Sequence, residues 1–437
     1  MSLNSHTNFR IKPSCSILGK TSIPGDKSIS HRAIILAAIA EGKTRISNFL
    51  QGEDTLTTIR IFQKMGVDIE NDGNVVLVNG VGLHGLSSED QILDFGNSGT
   101  SVRLLAGLLI AQNFNSELTG DRSLMKRPMF RIVNPLREMN AKISCTQEGT
   151  LPIKIRGGEK IKAIHYELPV ISAQLKSCLL IAGLYAEGKT KIIESEVTRD
   201  HTEIMLNNFS HPVTKKNNQI TIEKANRLIG CDINIPGDFS SAAYFIVAAI
   251  LALDSNITLE NVGVNPTRSA TIKILKLMGA NIELENEKLV SGEPTATISV
   301  KSSELVGINI PEELVPIAID ELPIILIAAA SAKGKTILSG AAELRVKESD
   351  RIQSMLDGFA ALGIKAEALD DGMIIEGGEF SGGVVDSNHD HRIAMAFSIA
   401  GIVARDSVTI NNCKNVATSF PEFVNTSKNL GINIDYV

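Results

Sequence analysis

The hydrophobic positions along this chain follow two periods in turn, one of helices and one of strands, and the alternation recurs. Apolar stretches with helical spacing begin near Gly25, Gly96, Ile171, Gly237, Asp320 and His389, about 66 to 83 residues apart, and each leads into a short strand-like run. Three of the joints are nearly the same: AEGKTRI at 40–46, AEGKTKI at 186–192 and AKGKTIL at 332–338. The other three read NFNSEL, DSNITL and RDSVTI. A second amphipathic helix then closes on a glycine and a further strand, as in Met65-Gly66-Val67, Met278-Gly279-Ala280, Leu362-Gly363-Ile364 and Leu430-Gly431-Ile432. Met139-Asn140-Ala141 has Asn at that place, and both residue types readily adopt the left-handed turn that ends a helix. The third copy, Phe209-Ser210-His211, departs from the pattern.

Six βαβα-like units predict an α/β protein of two domains with three units each. Ser22-Ile23-Pro24-Gly25-Asp26 is echoed by Asn234-Ile235-Pro236-Gly237-Asp238, which marks two crossings. One domain then combines residues 1–23 with 237–437, and the other spans 24–236. Pro and Gly at both crossings suit a hinge, although two unrelated turns would read the same way.

Composition narrows the class. Hydrophobic residues are 43% and charged residues 21% of the chain, the balance of a folded globular protein. A net charge of -6 argues against a general nucleic-acid binder. Cys15, Cys145, Cys178, Cys231 and Cys413 are odd in number and show no CxxC spacing, which fits a reducing compartment without disulfides or a zinc ribbon. Met1 to Lys12 lacks an apolar signal core, and the longest apolar run, Ala242 to Leu253, is shorter than the ~20 residues that span a bilayer. The expectation is a cytoplasmic protein with no membrane segment, and a monomer by default.

Two motifs are rejected. Gly183-Leu184-Tyr185-Ala186-Glu187-Gly188-Lys189-Thr190 spells the phosphate loop GxxxxGK[ST], but a helical period precedes it and a strand follows, the reverse of what that loop needs. His389-Asp390-His391 lacks further ligands at metal spacing, so no metal is expected.

Basic and small polar residues gather where the repeat helices begin: Gly25-Asp26-Lys27-Ser28-Ile29-Ser30-His31-Arg32, Gly96-Asn97-Ser98-Gly99-Thr100-Ser101-Val102-Arg103, and Ser172-Ala173-Gln174-Leu175-Lys176. A helix N-terminus offers unpaired N–H donors to an anion, and added cations make charge-assisted hydrogen bonds worth about 1.5–3 kcal/mol each. Ordinary N-capping explains any one of these segments equally well. Further basic segments are Lys126-Arg127-Pro128-Met129, Thr198-Arg199-Asp200-His201, Arg345 to Arg351 and Asp390-His391-Arg392. Lys347 and Arg351 share a face if 347–351 is helical, and Glu348 is then either a proton shuttle or the partner of an i,i+3 salt bridge with Arg351.

Taken together, GDKS-x-S-HR, GN-x-GT, KRPM, SAQ, TRDHTE, NPTR, DELP, RVKESDR, DHR and SFPEF, in this order from Lys27 to Phe423, resemble the motifs of the 3-phosphoshikimate 1-carboxyvinyltransferases. The resemblance implies a two-domain inverse α/β barrel, each domain built of three βαβαββ-type repeats, closing over shikimate 3-phosphate and phosphoenolpyruvate. It implies a place in chorismate and aromatic amino-acid biosynthesis, and no cofactor. Carried over by position, Lys27, Ser28, Arg32, Ser172, Ala173, Gln174 and Arg199 would hold shikimate 3-phosphate, with Asp320 and Lys347 at its hydroxyls. Lys27, Asn97, Gly99, Thr100, Arg127, Gln174, Arg351 and Arg392 would form the phosphoenolpyruvate site. Asp320 would be the base at the 5-hydroxyl, and Glu348 would handle the proton at the methylene carbon, with Lys27 the third catalytic group.

Two departures stand out. Where many members carry Lys just before the FP of the last motif, this chain reads Ala417-Thr418-Ser419-Phe420-Pro421, which puts one phosphoenolpyruvate contact in doubt. RPM-x-R, SAQ-x-K, TRDH-x-E and NPTR resemble the family's second subtype, whose response to glyphosate varies; Gly99 leaves room for that inhibitor. The sister enzyme acting on UDP-N-acetylglucosamine typically has a Cys in the loop corresponding to Gly120–Pro128, and none stands here. A non-catalytic anion-binding module on the same scaffold is the remaining alternative.

Overall fold

The computed structural model describes residues 8–14, 16–73, 75–88 and 92–437. Cys15 and the segment Met1–Thr7, both used in the sequence reading, lie outside them. Contacts divide the chain into two compact units: Gly25–Ile235 with Val290–Glu293, and Met1–Pro24 with Pro236–Leu289 and Pro294–Val437. Each has its own hydrophobic core.

In the unit Gly25–Ile235 the helices Lys27–Ala38, Gly99–Leu109 and Ala173–Gly183 are apolar around most of their circumference and are buried on nearly every side. Three sheets surround them. Each has four strands in the same arrangement, a parallel pair followed by two antiparallel neighbours. Strand Glu41–Ser47 shows how alternation fixes the facing: Thr44 and Ile46 point inward, with Thr44 opposite Val78 and Ile46 opposite Val76. The outer helices Glu53–Lys64, Phe130–Glu138 and His201–Asn208 bury one face only.

The other unit repeats the plan with inner helices Phe239–Leu251, Leu322–Ala330 and His391–Ala400. Its outer helices are Ala270–Leu277, Arg351–Ala361 and Phe423–Asn429. Its last sheet takes its third strand, Phe9–Ile11, from the start of the chain, between Val408–Asn411 and Ile434–Tyr436. In the sheet Lys335–Leu338, Gly372–Glu376 and Ala366–Leu369, single bridges Val306–Lys333 and Asn309–Ile337 stand where the others have a parallel strand. Helices inside and sheets outside make each unit an inverse α/β barrel.

The six-fold pattern is regular to the level of single residues. Gly66, Asn140, Ser210, Gly279, Gly363 and Gly431, each just past an outer helix, all have positive φ. The third copy is therefore a full member, with a serine held in a conformation that favours glycine.

The segment Val290–Glu293 falls in a different unit from the one its place in the sequence suggested. The carbonyl of Ser291 accepts from Asn208 Nδ2 at 2.8 Å, and Glu293 Oε1 pairs with His201 Nδ1 at 2.7 Å. The rejected phosphate loop is a helix ending at Gly183 followed by the strand Lys189–Ile193. Among the described residues, no helix is long and apolar enough to cross a membrane.

Candidate active site

In the unit Gly25–Ile235, the first turns of the three inner helices carry Lys27, Ser28, Arg32, Gly99, Thr100, Ala173 and Gln174. Asp26, Ser98 and Ser172 cap them, each side chain accepting a backbone N–H three residues on. Capping is therefore present at all three tips, and each cap takes one donor while leaving others. A buried polar chain fixes two tips against each other and against the helix Glu53–Lys64. His31 Nδ1 lies 2.8 Å from Thr58 Oγ1, which lies 2.6 Å from Ser101 Oγ, itself 2.8 Å from Ser98 Oγ. Burial first, then Lys27 and Arg32, holds the His31 imidazole well below its usual pKa, so it stays neutral in this chain.

Lys27 pairs with Asp54 at 2.5 Å. Arg32 is buried, donating from Nε to Thr202 Oγ1 at 2.7 Å, from Nη2 to Ser177 Oγ at 2.7 Å and from Nη1 to the Ser28 carbonyl at 2.9 Å. Burial lowers its pKa to about 10, against the pull of Glu203 and Asp26, and nearby Arg199 lowers it further. Three protein oxygens thus hold Arg32, and two of its five N–H groups lie outside these bonds.

A second network joins the Gly99 tip to the Ala173 tip. Gln174 donates to Thr100 Oγ1 at 3.1 Å and accepts from Arg103 Nη1 at 2.6 Å. Arg127 donates to Asn97 Oδ1 at 2.8 Å, and Asn97 donates to Asp121 at 2.7 Å. Asp121 also accepts the N–H groups of Ser123 and Leu124, so the loop that presents Arg127 is tied down by one carboxylate. A Cβ on Gly99 would lie 2.8 Å from Arg127 Nη1. Only glycine lets that guanidinium settle over the helix tip.

In the other unit, Asp320 lies where cations meet. Arg268, Lys347, Arg351 and Arg392 each bring a nitrogen to 3.7 Å from its carboxylate. Arg392 also donates to the Asp320 carbonyl at 2.8 Å. Glu348 Oε2 takes Arg351 Nη2 at 2.6 Å, and Asp390 Oδ2 takes Arg351 Nε at 2.8 Å. Burial works against the charge on Arg351, but Asp390 and Glu348 outweigh it and raise its pKa. Burial lowers the pKa of Lys347, with Asp320 opposing. The segment 347–350 is not helical, since the helix starts at Arg351 after the Asp350 cap. Lys347 and Arg351 therefore meet through Asp320 rather than through a shared helical face.

Lys27, Ser28, Arg32, Asn97, Gly99, Thr100, Arg127, Ser172, Ala173, Gln174 and Arg199 thus belong to one unit, and Asp320, Lys347, Glu348, Arg351 and Arg392 to the other. Sequence reasoning gave no individual role to Asp54, Arg103, Lys176, Arg268 and Glu321. Arg268 is buried, donating to Ser240 Oγ at 2.6 Å while Ser240 bonds Glu321. Its signal was present as the cation of NPTR, but nothing in that motif names its partners. Thr418, in the segment where a Lys was expected, turns its hydroxyl to the Asn415 carbonyl at 2.7 Å.

Residues 11–426 match the family described as EPSP synthase (3-phosphoshikimate 1-carboxyvinyltransferase). A 3-phosphoshikimate 1-carboxyvinyltransferase of Legionella pneumophila (strain Lens) is 55% identical over 98% of this chain and 99% of its own. One from Hydrogenovibrio crunogenus is 51% identical over 100% of both. The solved EPSP synthase of Acinetobacter baumannii is 50% identical, with a TM-score of 0.89 over 98% of this chain and 99% of that one. Matched along nearly its whole length by sequence and by fold, this chain belongs to the EPSP synthase family.

Proposed function

We propose that this chain transfers the carboxyvinyl group of phosphoenolpyruvate to the 5-hydroxyl of shikimate 3-phosphate and releases phosphate, in the cytoplasm and as a monomer. The reaction serves the shikimate pathway to chorismate and the aromatic amino acids. The observation that carries the reading is the Asp320–Glu348 neighbourhood: two carboxylates among four cations, with Glu348 on Arg351 at 2.6 Å and Asp320 3.7 Å from each of Arg268, Lys347, Arg351 and Arg392.

Such a neighbourhood suits addition followed by elimination. Glu348, which must enter the cycle protonated, gives its proton to the methylene carbon, and the central carbon gains cation character. The 5-hydroxyl attacks that carbon as Asp320 takes its proton. The tetrahedral intermediate then loses phosphate as the methyl group returns its proton to Glu348, restoring the carbon–carbon double bond. The cations balance the charge of substrate and leaving phosphate throughout. The bond broken is carbon–oxygen, so the scheme calls for no magnesium.

In this reading Lys27, Ser28, Arg32, Ser172, Ala173, Gln174 and Arg199 take shikimate 3-phosphate, supported by the capped tips and the Arg32 network. Asp320 and Lys347 serve its hydroxyls. Lys27, Asn97, Gly99, Thr100, Arg127, Gln174, Arg351 and Arg392 serve phosphoenolpyruvate, supported by the Gly99–Arg127–Asn97 arrangement. Glyphosate inhibits in competition with phosphoenolpyruvate. Residues 1–23 with 237–437, apart from Val290–Glu293, and residues 24–236 act as lobes hinged at the two Pro-Gly crossings, a reading supported by the division of contacts there. The hinge predicts a smaller radius of gyration by solution scattering when shikimate 3-phosphate binds.

The test is phosphate release from phosphoenolpyruvate, without added metal, with either shikimate 3-phosphate or UDP-N-acetylglucosamine. Release with the first alone is expected. Release with the second alone would assign the sister activity, and binding without release would make this an anion-binding module.

A further inference from the structure

Lys176 lies in the first turns of the helix Ala173–Gly183 and is completely buried. A cation there is unfavourable on three grounds. It is out of water, it sits near the positive end of a helix, and Arg32 donates to the adjacent residue, Ser177. Two carboxylates offset the cost: Glu194 Oε1 at 2.6 Å and Glu203 Oε1 at 2.7 Å. Burial raises the pKa of Glu203, with Lys176 opposing.

The third contact of Lys176 shows what the arrangement does. Its Nζ donates to the Thr198 carbonyl at 3.2 Å. Glu194, the carboxylate that receives Lys176, also accepts Thr198 Oγ1 at 2.8 Å and Thr198 N at 3.2 Å. The carbonyl, the N–H and the hydroxyl of one residue are thus all fixed by one buried ion pair. The next residue along the chain is Arg199. The next helical residue after Lys176 is Ser177, which receives both Arg32 and Thr202. One stretch of two residues therefore governs the backbone before Arg199 and the seat of Arg32.

We infer that Lys176 and Glu194 are positioning residues that hold the Thr198–Arg199 backbone in place for the phosphate group of shikimate 3-phosphate. This rests on the assignment of Arg199 and Arg32 to that phosphate in the proposed function. Lys176 has a second effect through charge. With Arg32 it balances Glu194 and Glu203, so its loss leaves a surplus negative charge, poorly screened, beside the seat of a dianion.

The experiment compares steady-state kinetics of Glu194→Gln, Lys176→Met and Arg199→Gln with the unaltered enzyme, alongside melting temperatures. Glu194→Gln keeps the size of the side chain and one acceptor oxygen. It is expected to fold and to raise KM for shikimate 3-phosphate about tenfold, with kcat and KM for phosphoenolpyruvate within about twofold. Lys176→Met is expected to raise the same KM by about tenfold or more; if it does not fold, Glu194→Gln decides. A lowered melting temperature with KM for shikimate 3-phosphate unchanged in Glu194→Gln would make the pair merely structural and overturn the inference. So would an equal rise in both KM values. Arg199→Gln separates the two levels. If it leaves KM for shikimate 3-phosphate unchanged in an active enzyme, the underlying assignment has failed, whatever Glu194→Gln does.

Discussion

Glu348 Oε2 lies 2.6 Å from Nη2 of Arg351, and the same guanidinium donates from Nε to Asp390 Oδ2 at 2.8 Å and from Nη2 to Asp390 Oδ1 at 3.4 Å. The arginine thus links a partly exposed carboxylate to a buried one through a shared nitrogen. It orients Glu348 while Asp390 fixes the arginine. Of the two alternatives in the sequence, the salt bridge is present in the structure, and the proposed proton shuttle would use the carboxylate that this bridge orients.

Glu348→Gln tests that role. The amide keeps the shape but cannot exchange a proton with carbon. Turnover is expected to fall by about 10²–10⁴-fold while both KM values stay within a few-fold. Near-normal turnover by phosphate release would remove Glu348 from the chemistry.

Gly99→Ala tests the seat of Arg127. The new Cβ would lie 2.8 Å from Arg127 Nη1 and 3.3 Å from Arg103 Nη1, both ends of flexible side chains. The fold should accommodate it with little loss of melting temperature. Displacing the guanidinium should raise KM for phosphoenolpyruvate about tenfold and weaken glyphosate, with KM for shikimate 3-phosphate little changed. Unchanged phosphoenolpyruvate kinetics would contradict the placement of Arg127.

Lys347 predicts a pH dependence. Burial sets its pKa below the ordinary 10.5, so as pH rises it loses its charge earlier than a free lysine. The profile of kcat/KM for shikimate 3-phosphate should therefore fall on an alkaline limb that begins below that value. Lys347→Arg, which keeps its charge, should move the limb to higher pH. A limb that does not move would assign it to another group.

Much of this was legible in advance, for a definable reason. The helix tips, their caps and the GKT joints are local features, and Gly42, Gly188 and Gly334 at those joints all have positive φ. Ser210 was illegible because serine does not announce a left-handed turn; backbone bonds from Ser210 N to the Asn207 carbonyl at 3.1 Å and from His211 N to the Leu206 carbonyl at 2.9 Å close it. Lys27 with Asp54, Lys176 with Glu194, and Arg268 with Asp320 pair across separate elements, and no periodicity encodes such a partner. The placement of Val290–Glu293 was hidden for the same cause, since it rests on contacts to Asn208 and His201.

Asp390 predicts how the protein responds to acid. Burial opposes its charge, but Arg351 outweighs burial and lowers its pKa below the ordinary 3.8. A depressed folded pKa contributes stability above the unfolded value, and that contribution is lost as pH falls through the lowered one. Asp390→Asn should therefore be less stable at pH 7, on the order of 3 kcal/mol, because it removes the fully buried charge paired with Arg351 at 2.8 Å. The gap in urea unfolding midpoint should narrow only below about pH 3.8. A gap of the same size at every pH would show that ionisation of Asp390 does not matter.

The bond that breaks decides the central claim. Phosphoenolpyruvate carrying ¹⁸O at the bridge between carbon and phosphorus is turned over with shikimate 3-phosphate, and both products are analysed by mass spectrometry. Carboxyvinyl transfer predicts the label in the released phosphate and none in the new ether. Label left on the three-carbon fragment would mean that phosphorus, not carbon, is the centre attacked, and would contradict the account.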